Sequence, residues 1–178
     1  MWIDRIANPD NRTRVNPALG SYRWVDLAQL LSRWDADIPH GAEKADYRDK
    51  AIPKAIMQAF AASDPASRPH GNVSFRVPNG ALMDAFEIFN GRTLYDPRSI
   101  SVPTPIVRGG DDTTSTASDA LRLFDALGAR RKRFVTFSPG SHFLCVEWNA
   151  AELYAEIKLY LASDTPGVLS GSRPTGLV

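Results

Sequence analysis

Cysteine occurs once in the 178 residues, at Cys145, which excludes an intrachain disulfide and any multi-cysteine zinc site. Histidine is also scarce: His40, His70 and His142 lie far apart with no i, i+4 pairing, so no zinc site is expected either. Charge of one sign is missing too. Lys+Arg of 21 against Asp+Glu of 20 leaves +1, a near-neutral balance that gives neither nucleic acid nor an anionic membrane an electrostatic reason to be the main partner. No apolar stretch approaches the roughly 20 residues of a membrane helix, and the N-terminal MWIDRIANPD has no apolar signal core. What remains is ordinary for a soluble chain of one-domain length, 43% apolar and 23% charged, and a cytoplasmic location is expected.

The N-terminal part reads as loop and helices. Residues 1–20 are polar and punctuated, with no sustained period. From Asp26, a capping residue, Leu27, Leu30, Leu31 and Trp34 fit one helical face. A second helix is predicted over 53–62, where Ile56, Met57 and Phe60 share a face and Pro53 suits the first turn. Ser63–Asn72 reads as loop. A third helix is predicted over 80–89 with Leu82, Phe86 and Phe89 inward and Asn79 as its cap.

After Tyr95 the pattern alternates strand and helix. Pro105–Arg108 is a short apolar run halted at Gly109-Gly110. A helix follows over 118–127 with Ala120, Leu121, Phe124 and Leu127 on one face, and Thr116 and Asp119 have capping-box spacing. Arg133–Phe137 is a second strand, broken at Ser138-Pro139-Gly140, and a last helix spans 150–161 with Leu153, Ile157, Tyr160 and Leu161 buried. Residues 163–178, rich in Ser, Gly, Pro and Thr, read as a frayed tail.

Two strands joined by a helix should lie parallel and release their loops at the same carboxyl edge, where open α/β sheets bind ligands. The first loop carries Asp111-Asp112 and the second Ser141-His142. Adjacent strands are only about 4.8 Å apart, so a carboxylate and an imidazole there can meet and form an acid–base pair. Each motif alone is an ordinary turn; the joint placement points to chemistry. Ser138 and Ser141 read as turn residues, and Cys145 as a buried small hydrophobe. Trp2, Trp24, Trp34 and Trp148, with Phe86 and Phe89, read as core or as the lining of an apolar pocket. A third option is Mg²⁺ held by Asp111 and Asp112 in a phosphatase-like domain, although the phosphate-cradling glycine loop with Lys is missing.

The stretch Val102–Asp112, the helix Asp119–Gly128 and Arg133–Leu144, with Gly-x-x-Asp at 109–112 and Gly-x-His at 140–142, resemble the C-terminal end of an α/β-hydrolase-fold protein. The segment 24–90, with Arg33-Trp34 and Arg76–Gly80, is similar to the helical cap that some members insert over the active site. The resemblance implies a partial α/β-hydrolase fold: a loop and cap-like segment over 1–94, the acid and His over 95–162, and a tail over 163–178. It implies Asp112 as the acid that orients the catalytic His142, in Ser-His-Asp hydrolysis of an ester or amide-like bond in an apolar small molecule, with no cofactor and no metal. The family's nucleophile elbow, Gly-x-Ser-x-Gly, precedes the acid and base. It is absent from this sequence: the segments at Gly71, Gly140 and Gly171 all fail the pattern. An incomplete or inactive copy is therefore expected. The alternative is a non-catalytic binding or interaction module derived from a hydrolase, whose open sheet edges would make it marginal, homo-oligomeric or dependent on a partner.

Overall fold

A computed structural model describes residues 6–163. Of the tail expected over 163–178, all but Ser163 lies outside the described residues, as does Trp2. Within them stand two small sheets and five α-helices.

The first sheet pairs β1 (Tyr22–Asp26) with β2 (Ser74–Pro78) antiparallel, Trp24 opposite Arg76. Between them in sequence run α1 (Leu27–Asp35) and α2 (Ile52–Ser63). Asp26 caps α1 as expected. Its carboxylate accepts from the Gln29 N–H at 2.8 Å, and the Gln29 side chain accepts from the Asp26 N–H at 2.9 Å. Leu30, Met57 and Ala61 form a buried cluster, with Val25, Leu27, Ile56, Phe75 and Phe143 packed against it. Phe143 directly follows His142, so this core touches the turn that carries His142.

Helix α3 (Gly80–Phe89) buries Phe86 against Ile6 and Ala7. Asn79 stands at its N-cap as expected, but its side chain makes no capping bond. Its amide instead donates to the Leu19 carbonyl at 3.0 Å and its oxygen accepts from Arg23, also at 3.0 Å, tying the loop before β1 to the end of β2. The stretch 63–72 is not all loop either, since Pro65–His70 makes a 3₁₀ helix capped by Asp64.

The second sheet pairs β3 (Thr104–Gly109) with β4 (Lys132–Phe137) in parallel, Ile106 opposite Phe134, joined through α4 (Ala117–Ala126) and followed by α5 (Ala150–Ala162). Strand periodicity distributes the helices. Lys132 and Phe134 meet α4: Lys132 Nζ donates to the Phe124 carbonyl at 2.6 Å and the rings of Phe124 and Phe134 meet edge to face. Arg133 projects to the other face and meets Glu156 of α5 at 2.5 Å.

The expected helix faces hold in part. Leu30, Trp34, Met57, Phe86, Ala120, Leu127, Leu153 and Tyr160 are buried, but Phe60, Phe89, Leu121 and Leu161 are exposed. The apolar stripe read from helical periodicity is thus wider than the surface that covers it. Cys145 is also exposed, on the 3₁₀ turn Leu144–Val146, and is not the buried hydrophobe expected. No described helix is long and apolar enough to cross a membrane.

Candidate functional site: a carboxylate and an imidazole at the carboxyl edge

Strands β3 and β4 end in turns that touch through backbone. Gly110 N–H donates to the Phe137 carbonyl at 2.7 Å, and Asp111 N–H to the Gly140 carbonyl at 2.8 Å. This approach needs glycine. A Cβ on Gly109 would collide with the carbonyl oxygens of Gly140 and Ser141, and one on Gly110 with the Ser138 hydroxyl. The glycines that end the first strand are thus the reason the two turns can lie side by side.

The contact brings Asp112 and His142 together. His142 Nδ1 lies 3.0 Å from Asp112 Oδ2; the imidazole is 43% exposed and the carboxylate 6%. Asp112 Oδ1 accepts from the Thr114 and Ser115 N–H groups, both at 2.8 Å, which fixes the carboxylate in its turn. Burial pushes this carboxyl upward, but the bond to His142, the backbone donors and the nearby imidazole outweigh it and hold it below the usual carboxylate range. An ionised carboxylate only accepts, so in the neutral imidazole Nδ1 carries the proton and Nε2 keeps its lone pair. Nε2 has no hydrogen-bond partner among the described residues.

Arg108, buried on β3, braces the acid turn by donating to the Asp112 carbonyl at 3.0 Å and to the Ser115 carbonyl at 3.2 Å. Asp111 faces other partners: it accepts from the Tyr47 hydroxyl at 2.8 Å and the Gly140 N–H at 3.2 Å. Burial first, and then this bond to a carboxylate, push the Tyr47 phenol well above its ordinary range. Asp111 and Asp112 are therefore committed to different donors.

Sequence reasoning missed three residues of the N-terminal segment's attachment. Asp37 sits past the end of α1 and accepts from the His142 N–H at 3.1 Å and from Thr113. Tyr47 reaches Asp111. Glu147, buried, accepts from Trp34 Nε1 at 2.6 Å, Ser141 Oγ at 2.5 Å and Ser141 N–H at 2.8 Å. Ser141 is thus a fully buried member of a polar network rather than a simple turn residue. A signal was present in the sequence for one of them: Glu147, between Val146 and Trp148, is an isolated acid among apolar residues, which must be bonded if buried. Trp34 is core, stacked 4.6 Å from Phe143, whereas Trp148 is exposed with its N–H on the Ala45 carbonyl at 2.8 Å.

Two surface clefts, of about 320 and 330 Å³, lie elsewhere. One is lined by Tyr22, Asp64 and Arg76 and the other by Arg14, Glu87 and Arg92, so neither includes the pair. Comparison of the chain with protein-family models and with curated proteins returns no match.

Proposed function

We propose that Asp112 and His142 are the acid–base half of a Ser-His-Asp hydrolysis apparatus in an α/β-hydrolase-like chain. The target is an ester or amide-like bond in an apolar small molecule. The supporting observation is the 3.0 Å contact between Nδ1 and Oδ2 at the carboxyl edge of a parallel strand pair, which leaves Nε2 free to take a proton from a nucleophile and return it to a leaving group. The sequence has no Gly-x-Ser-x-Gly, and Ser141, the serine beside His142, is buried and committed to Glu147. The chain alone is therefore inert toward esters. Two measurements test the reading. The share of neutral His142 that carries its proton on Nδ1, read by long-range ¹⁵N–¹H spectroscopy, should fall in Asp112→Asn, whose amide can turn an N–H toward the ring; an unchanged share refutes the acid–base pairing. A serine-directed fluorophosphonate should leave the chain unlabelled, and labelling or ester turnover that vanishes in His142→Ala refutes the inertness.

A second reading, a non-catalytic interaction module, is favoured by the sheet itself. It is two strands wide, so β3 and β4 each keep an unpaired outer edge among the described residues. Parallel sheets are ordinarily covered and wider. Concentration-dependent self-association in sedimentation, with no labelling, would select this reading.

A further inference from the structure

We infer that Asp37 is a positioning residue for the Asp112–His142 pair, an inference that rests on the acid–base reading above. One carboxylate holds both turns. Its Oδ2 accepts from the backbone N–H of His142 at 3.1 Å; its Oδ1 accepts from the backbone N–H of Thr113 at 3.3 Å and from the Thr113 hydroxyl. Thr113 directly follows the acid, and His142 is the base. Asp37 therefore fixes the backbone of the base and the backbone beside the acid, and with them the spacing of the two side chains.

The carboxylate is completely buried, and a buried charge is sustained only by charge-assisted bonds and a counter-ion. Arg33, one turn earlier on α1, supplies the counter-ion at 3.3 Å from Oδ2 and also reaches the Thr114 hydroxyl. The same guanidinium lies 5.9 Å from the Phe143 ring centre, beside the base. Asn cannot replace Asp37. Its single oxygen could serve one turn, while its amide would place N–H against N–H at the other. The charged groups bonded to the turns of the pair include Arg33, Asp37, Arg108, Asp111 and Glu147.

A residue that merely staples α1 in place would alter stability and leave the imidazole of the folded protein unchanged. A positioning residue alters the ring itself. The experiment is long-range ¹⁵N–¹H spectroscopy of the full chain at a pH where the ring is neutral, comparing the Nδ1–H with the Nε2–H tautomer of His142. In Asp37→Ala the ratio of Nδ1–H to Nε2–H should fall about threefold or more, near the low end of coupling within one hydrogen-bonded network. Thr113→Val, at an exposed residue, removes only one of the bonds and should move the ratio the same way by less. In an Asp112→Asn background, Asp37→Ala should add nothing.

Wild-type ratios in both folded variants overturn the inference, as does an undiminished Asp37→Ala effect in the Asp112→Asn background. If Asp37→Ala does not fold, Thr113→Val decides alone: a fall supports the inference and no change overturns it. An Asp112→Asn variant with the wild-type ratio is a different result. It refutes the acid–base pairing itself and takes the positioning role with it.

Discussion

Gly109→Ala should separate the two turns and dissolve the site while sparing the strands. The added methyl carbon would overlap two backbone carbonyl oxygens, those of Gly140 and Ser141, and backbone cannot rotate aside as a flexible side chain can. Neither oxygen is free to retreat. Gly140 is held from both sides, its carbonyl by the Asp111 N–H at 2.8 Å and its N–H by the Asp111 carboxylate at 3.2 Å. Ser141 is anchored by two bonds to Glu147. Relief therefore requires the turns to part. Overpacking of this kind costs about 1–3 kcal/mol. At about 2–4 °C per kcal/mol for a chain of this length, melting should drop by about 2 to 12 °C. Gly80→Ala is the control, because that glycine opens α3 and has no atom within 4 Å of its would-be Cβ. Its melting point should be unchanged or slightly raised, since Ala is the better helix former. The assay is thermal melting by circular dichroism together with the His142 ring spectrum. Gly109→Ala melting within about 1 °C of wild type with the Nδ1–H tautomer intact would refute the reasoning.

Glu147→Ala strands three buried donors, Trp34 Nε1, Ser141 Oγ and Ser141 N–H, at about 1–3 kcal/mol each, so urea unfolding should show a loss of about 3 kcal/mol or more. Glu147→Gln keeps an acceptor and should lose less; equal losses would argue against the network. Acid should weaken the fold through Asp112. Its carboxyl is held below the unfolded value of about 3.9, so the stability it contributes is present above that value and disappears as pH falls through the lower, folded one. Below about pH 5 the decline of unfolding free energy should therefore be shallower in Asp112→Asn than in wild type, measured by urea unfolding at each pH; parallel curves would exclude this source.

Much of the local structure was legible because its causes are local. Asp26, Pro53, and Thr116 with Asp119 mark three helix starts within a residue or two of where they stand. The parallel pair was legible from two apolar runs with a helix between them. Strands β1 and β2 were not. Each has five residues, and the two helices between them separate Asp26 from its partner Ser74, so nothing local announces the pairing. The same limit applied at the site. Asp112 and His142 were visible as turn residues of consecutive strands, but Asp37 and Tyr47 reach those turns from distant sequence. The exposed Phe60, Phe89, Leu121 and Leu161 show the converse error: periodicity finds an apolar stripe but not what covers it.

The N-terminal segment bears on the geometry of the pair as well as on architecture. A segment that only covered the pair could be lost with Asp112 and His142 still aligned. Here Asp37, Tyr47 and Trp34 each bond to the turns or to Glu147 beneath them. The two-stranded sheet and the backbone bonds between its turns supply proximity. Residues before Tyr95 supply the acceptor for the His142 N–H and the donor for Asp111. The segment is therefore bonded to the pair's turns from several sides, and perturbing Trp34 in the core should reach His142 chiefly through the stacked ring of Phe143. Trp34→Phe keeps the stack and removes one donor to Glu147. It should leave the His142 tautomer close to wild type, whereas Trp34→Ala removes the stack as well and should shift it.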